Sequence, residues 1–182
     1  MNPDKITLIA FGQIEKGFLE TIARDVEQEF LMKVTITDGY LDLSKYFDSA
    51  RRQYNANRLI ETIEKDYAAD TSKTVGLFTV DLYIDILTFI YGQAYLNGRS
   101  GIASMFRLRN ERYGLSRNDA LMLQRFTTEI IHELGHTFGL IHCHVPGCVM
   151  QASTYVEDID QKEHQFCYHC KSLLNHRLNS RL

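Results

Sequence analysis

An α/β sandwich built on a mixed sheet is the fold class this sequence predicts, and two observations predict it. Apolar runs of strand length alternate along the chain with segments of helical period, and nothing resembling a linker interrupts the alternation. The 182 residues suffice for one ordinary domain and are short for two. Pro3 and Pro146 are the only prolines, and there is no Gly/Ser-rich stretch, low-complexity segment or internal repeat. One domain, residues 1–182, is therefore expected.

Each element follows from its own pattern. Ile6 to Ala10 is a short apolar run of strand length, and beyond Gly12 the residues Phe18, Leu19, Ile22, Val26 and Phe30 recur at helical spacing. Val34 to Thr37 alternates as a strand does and stops at Asp38-Gly39; the 51–68 segment then sets Leu59, Ile60, Ile63 and Tyr67 on one helical face. Thr74 to Val80 is β-rich and apolar. The aromatic stretch from Leu82 to Leu96 fits neither period, and Gly101 to Leu108 has the length of one more strand. Ser116 followed three residues later by Asp119 is a capping-box signature, so a long helix is expected from Ser116 to Phe138. On it Leu123, Phe126, Ile130, Leu134 and Phe138 form a packing stripe, with His132 and His136 together on roughly the opposite side. A last helix is read from about Gln161 to Leu178.

Charge and composition exclude several functions. A net charge of −3 with both signs interspersed gives no footprint for a polyanion, so nucleic acid is not an expected partner. No apolar run is long enough to span a bilayer, and Met1 to Gly12 has neither a basic n-region nor an A-x-A-like cleavage site; a cytoplasmic location with no membrane partner is the expectation. The four cysteines, Cys143, Cys148, Cys167 and Cys170, fall in the last quarter of the chain, which favours a metal site over a disulfide framework.

The chemistry concentrates in two places. His132-Glu133-Leu134-Gly135-His136 is an H-E-x-x-H sequence, which on a helix sets two imidazoles one turn apart, placed to grip one zinc ion. Gly139 can end that helix with φ > 0 and turn the chain so that His142 supplies a third ligand. Glu133 can then reach the metal-bound water as general base and later pass its proton to the leaving amine. The competing interpretation is a solvated, histidine-rich helix end without metal.

Cys143 and Cys148 have four residues between them, and Cys167 and Cys170 have two, spacings that suit a tetrahedral all-cysteine zinc site of structural type. Free thiols or a redox-active Cys167/Cys170 pair are the alternatives. His144, His164 and His169 lie close enough in sequence to replace one thiolate. Because Cys143 directly follows His142, the two centres would share one stretch of backbone, and two zinc ions per chain are expected.

HELGHTFGLIHC, then Cys148-Val149-Met150, then Cys167-Tyr168-His169-Cys170, resemble the archaemetzincins (archaelysins), a metzincin family of zinc peptidases. Weaker similarity runs upstream through Arg52-Gln53-Tyr54, Asp81-Leu82-Tyr83, Gly92-Gln93-Ala94 and Ser104 with Arg107-Leu108. The resemblance implies a minimal metzincin: an upper part, 1–139, with the active-site helix, and a C-terminal part, 140–182, with the cysteine zinc. It implies that Met150 forms the Met-turn beneath the catalytic metal, and that Gly101 to Leu108 lies in or near the edge strand lining the cleft. Two departures stand out. With the first strand expected near Lys5, no propeptide is expected, and Ala152 occupies the place where some metzincins carry a tyrosine that assists the metal. Tyr155 nearby reads as a packed turn aromatic.

The function expected is a zinc-dependent peptidase that hydrolyses peptide bonds in a peptide or small protein, acting as a monomer. The alternative is a zinc-stabilised peptide-binding module whose histidine site is empty or vestigial. Nucleic-acid binding through the cysteine module would rest on Lys171, Arg177 and Arg181 alone.

Overall fold

In the computed structural model, which describes residues 3–179, the chain forms nine strands and five α-helices. Strands β1 (Lys5–Phe11), β2 (Lys33–Gly39), β5 (Ser72–Phe78), β9 (Ser100–Ser104) and β8 (Gly92–Ala94) make a five-stranded sheet in the order β2-β1-β5-β9-β8. All its pairings are parallel except β8 with β9. Helices α1 (Lys16–Phe30) and α2 (Ala56–Asp66) provide crossovers between parallel strands, as such strands require. A second, mixed sheet, β3-β4-β6-β7, gathers Phe47–Asp48, Gln53–Asn55, Leu82–Ile84 and Leu87–Ile90.

The large sheet is covered on both faces. Ile6, Leu8 and Ala10 of β1 face a core made by α1, the long helix α3 (Asp119–Thr137) and the C-terminal segment. Ile9 and Phe11, pointing the other way along the same strand, join Leu59, Ile60 and Ile63 of α2. The α1 stripe read from the sequence is buried as expected, at Leu19, Ile22, Val26 and Phe30.

Four boundaries differ from expectation. The 51–68 segment gives strand β4 before α2 starts at Ala56, because the Asn55 side chain accepts the Arg58 amide and caps the helix there. The helix read from Ser116 begins at Asp119; its cap is Asn118, whose Oδ1 accepts the Leu121 amide, while Asp119 is drawn into a bidentate pair with Arg117. Of Gly101 to Leu108, only 101–104 is strand, within β9, which lies next to the edge as the resemblance implied; the edge itself is β8, out of the aromatic stretch that has no clear period. The last helix starts at Tyr168 rather than Gln161, after a short α4 (Val156–Asp160) capped by Tyr155 and Asp158. No helix among the described residues is long and apolar enough to cross a membrane.

The upstream residues that carry the weaker resemblance bracket the second sheet. Arg107 holds Asp81 through two short hydrogen bonds, 2.8 and 2.6 Å, Gln53 donates to the same carboxylate at 3.2 Å, and the Ser104 hydroxyl donates to the Val80 carbonyl at 2.6 Å.

Candidate active site

Helix α3 carries His132, Glu133 and His136 to the floor of a cleft of about 560 Å³. Strands β7 and β8 form one wall, and residues 152–155 form the other. Both faces of α3 are engaged here: Leu134 and Ile130 are packed in the core, yet His132 and Glu133 are also only 5% exposed.

The helix ends as the glycine predicts. Gly139 has φ 86°, its amide donates to the His136 carbonyl at 2.8 Å, and the Leu140 amide donates to the Gly135 carbonyl at 2.9 Å. This left-handed closure reverses the chain and brings His142 back over the helix end. A Cβ at Gly139 would strike the Arg177 guanidinium, so α5 (Tyr168–Asn179) backs the turn. From the other side the buried Lys73 ammonium donates to the carbonyls of Thr137, at 2.8 Å, and Gly98, and the Asn97 amide donates to the His136 carbonyl at 2.8 Å. A cation at a helix C-terminus is electrostatically favourable, and here it also satisfies a carbonyl that would otherwise lack a partner.

The three imidazoles converge, with ring centroids 4.6, 5.3 and 5.0 Å apart for the pairs 132–136, 132–142 and 136–142. One ligand nitrogen from each lies within 4.8 Å of the others. Their tautomers test whether a cation fits. The Nδ1 atoms of His132 and His136 sit 2.8 Å from the carbonyl oxygens of Val149 and Leu140, and a carbonyl only accepts, so each Nδ1 must carry the proton. Burial lowers the pKa of all three rings, well below the ordinary value for His132, which keeps them neutral. The two Nε2 lone pairs then face each other at 3.1 Å with no proton between them. That separation is close to the roughly 3.3 Å between two nitrogens on tetrahedral zinc, given Zn–N near 2.05 Å. The donor set suits zinc.

Glu133 points into the same cleft beneath β8. A Cβ on Gly92 would lie 2.7 Å from the Glu133 Oε1 and 2.8 Å from the Ile102 carbonyl, so only glycine lets the edge strand pass over this carboxylate. Burial, then the neighbouring Glu129 carboxylate, push the Glu133 carboxyl well above its ordinary pKa. Gly92→Ala is expected to cost about 1–3 kcal/mol of stability from overpacking and to lower kcat/KM at least tenfold by displacing the carboxylate. Thermal melting and peptide hydrolysis side by side check both effects.

Met150 is fully buried against the helix at Gly135, where any Cβ would collide with its sulfur. Its carbonyl accepts the Cys143 amide at 2.9 Å, which joins the methionine turn to the cysteine cluster. In that cluster the four sulfurs lie within 4.8 Å of one another, and Cys143 and Cys167 are 3.8 Å apart. This is far beyond a disulfide bond of about 2.05 Å but close to the roughly 3.8 Å expected between two thiolates on tetrahedral zinc. Backbone amides of Val145 and Cys167 donate to the sulfurs of Cys143 and Cys148, each at 3.4 Å, which suits thiolate acceptors. Burial raises the Cys148 and Cys170 thiols; for Cys167 the Cys170 amide and neighbouring thiols outweigh burial and lower it.

His144, His164 and His169 join neither group among the described residues. Tyr155, read as a packed turn aromatic, is instead 67% exposed and lines the cleft beside Ala152. Of the three basic residues near the C-terminus, Lys171 pairs with Glu29, Arg177 abuts the Gly139 turn, and Arg181 lies outside the described residues. Sequence reasoning misses three further cleft residues, Tyr91, Glu129 and Lys162; a glutamate one turn ahead of H-E-x-x-H is the one signal it offers.

Residues 18–176 match peptidase family M54. The chain is 35% identical over 175 residues to an archaemetzincin of Thermococcus kodakarensis, covering 93% of this chain and 94% of that protein. It is similar to the crystal structure of a zinc-dependent peptidase from Methanocorpusculum labreanum, with TM-score 0.84, 29% identity, and 93% and 100% of the two chains covered. It is also similar to that of an archaemetzincin from Methanopyrus kandleri, with TM-score 0.82, 31% identity, and 96% of each chain covered.

Proposed function

Because this chain belongs to peptidase family M54, the archaemetzincins, and is accordingly a zinc metallopeptidase, we propose that it hydrolyses peptide bonds by Glu133-assisted attack of water. His132, His136 and His142 would hold the catalytic zinc, and Cys143, Cys148, Cys167 and Cys170 a second, structural one. The observation that carries this reading is the 3.1 Å approach of the His132 and His136 Nε2 atoms, with each Nδ1 held by a carbonyl, in a cleft that also holds the Glu133 carboxylate.

Zinc bound to the three imidazoles would supply Lewis-acid polarisation of the scissile carbonyl and acidify water in the cleft. The carbonyls of Val149 and Leu140 fix both helix imidazoles with Nε2 inward, so no ring has to turn when substrate arrives. Glu133, held under Gly92, accepts a proton from the attacking water at its carboxylate and returns it to the leaving nitrogen. An extended substrate would lie along β8, the edge strand of its sheet among the described residues, and add a strand there. Met150 packs beneath the histidines as a positioning residue.

The shared segment from His132 through Cys143 supports treating 1–139 and 140–182 as parts of one domain. Thiols gathered for metal rather than paired as disulfides suit a reducing compartment, and a cytoplasmic location is proposed on that ground. Zinc per chain, measured by elemental analysis, tests the assignment: two ions in the wild type are expected to fall to one in His136→Ala, with hydrolysis lost. One ion, unchanged by His136→Ala, would favour the peptide-binding module with a vestigial site.

A further inference from the structure

Beside Glu133 the cleft ends in three buried polar groups that the hydrolytic machinery does not use. Glu129, four residues before Glu133 and so about 6 Å along the same helix face, has a side chain 5% exposed. Lys162, entering from the loop after α4, has a side chain 1% exposed, and its Nζ lies 3.8 Å from the Glu129 Oε1. Tyr91, 5% exposed, lines the same cleft from the wall of β7 and β8. Among the described residues no hydrogen bond of 3.5 Å or less reaches Glu129 Oε1, Lys162 Nζ or Tyr91 Oη; Glu129 and Lys162 meet only as the loose 3.8 Å ion pair, and Tyr113 is the polar side chain nearest the Tyr91 hydroxyl. Buried polar groups are costly when they lack close hydrogen bonds, so three such groups in a substrate cleft mark a place where a ligand completes the bonding.

We propose that Glu129, Lys162 and Tyr91 form a pocket for the primary carboxamide side chain of an asparagine or glutamine flanking the scissile bond. The proposal rests on the peptidase reading above, and charge and shape select the group. Glu129 and Lys162 together are net neutral whichever of them holds the shared proton. An acidic side chain would set a carboxylate against Glu129, and a basic one would set a cation against Lys162. An aliphatic side chain would leave all three groups unsatisfied. A primary carboxamide presents an acceptor oxygen and a donor nitrogen about 2.2 Å apart on the same side. These can span two anchors 3.8 Å apart, the oxygen accepting from Lys162 and the nitrogen donating to Glu129, each at ordinary hydrogen-bond length. A backbone peptide group cannot, because its trans C=O and N–H point opposite ways. The Tyr91 hydroxyl keeps its proton, since burial pushes its pKa above the ordinary value, and is available as a further donor to the oxygen.

The test uses one peptide library, made by digesting a proteome, with two readouts. Zinc-loaded wild type is incubated with it and cleavage sites are mapped by mass spectrometry; zinc-loaded Glu133→Ala is used to capture peptides from it at equilibrium. Asparagine and glutamine should be enriched at least tenfold over leucine, glutamate and lysine at one position flanking the cleaved bond, and among captured peptides. Glu129→Leu with Lys162→Met, which removes both charges at nearly constant volume, should invert the preference toward leucine and methionine. Tyr91→Phe, a milder change, should weaken it several-fold. A wild-type profile with no carboxamide enrichment, or one the double variant leaves unaltered, would overturn the pocket. Hydrolysis with an indifferent profile would defeat the pocket and leave the peptidase reading standing. Capture of carboxamide peptides without any hydrolysis would do the reverse.

Discussion

Glu133→Ala is expected to lower kcat for peptide hydrolysis by about 10²- to 10⁴-fold, the range that a positioned general acid–base contributes, while two zinc ions stay bound. The carboxylate is absent from both ligand groups, so its loss leaves every candidate metal donor in place. Neither should the fold suffer much. The side chain is buried under Gly92, and removing a carboxyl that burial disfavours offsets part of the packing that goes with it. Glu133→Gln separates shape from basicity, because it fills the same space and cannot accept the proton. Both variants should therefore be inactive with near-native melting and metal content. Undiminished turnover in either would remove Glu133 from the role of base.

Cys167→Ser combined with Cys170→Ser should have the larger effect on the whole molecule. Structural zinc contributes on the order of 10 kcal/mol in small metal-stabilised folds, against a total stability of about 5–15 kcal/mol for an ordinary domain. The cysteines join the loop after α3 to the start of α5, and the Cys143 amide is bonded to the Met150 carbonyl. Without the metal, that loop loses its anchor, and with it His142. Zinc content should then fall below one ion per chain, with a melting transition lowered by tens of degrees and hydrolysis lost. A variant that keeps one zinc, its activity and its melting temperature would show that the two centres are independent.

Much of the site is legible from residues alone because its determinants are local. H-E-x-x-H fixes its own geometry once the segment is helical, and Gly139 declares a left-handed turn that brings His142 back. The cysteine spacings name a tetrahedral centre in the same way. The strand and helix alternation is legible because β1 and β5 are short runs of apolar and β-favouring residues, buried at most or all positions, while α1 buries side chains at helical spacing. The edge strand is not. Gly92–Ala94 is three residues long, open on one side, and held by pairing with β9, so no periodic signal marks it. The start of α3 escapes the sequence for a different reason: Asn118 and Ser116 are both good caps, and the Arg117–Asp119 pair decides between them. Lys162 and Tyr91 approach Glu129 only through tertiary folding, from 33 and 38 positions away in the chain, and no spacing rule reaches that far.

The close approach of Gly92 to Glu133 also makes the edge strand a ruler. An extended chain paired with β8 alternates its side chains between the two faces of the sheet, so a slip of one residue turns every side chain over, and only steps of two preserve the facing set. The base sits directly under one fixed point of that strand. Where a long unfolded polypeptide is cut would thus be decided by counting along its backbone from Gly92, in units of two residues, before any side chain is recognised.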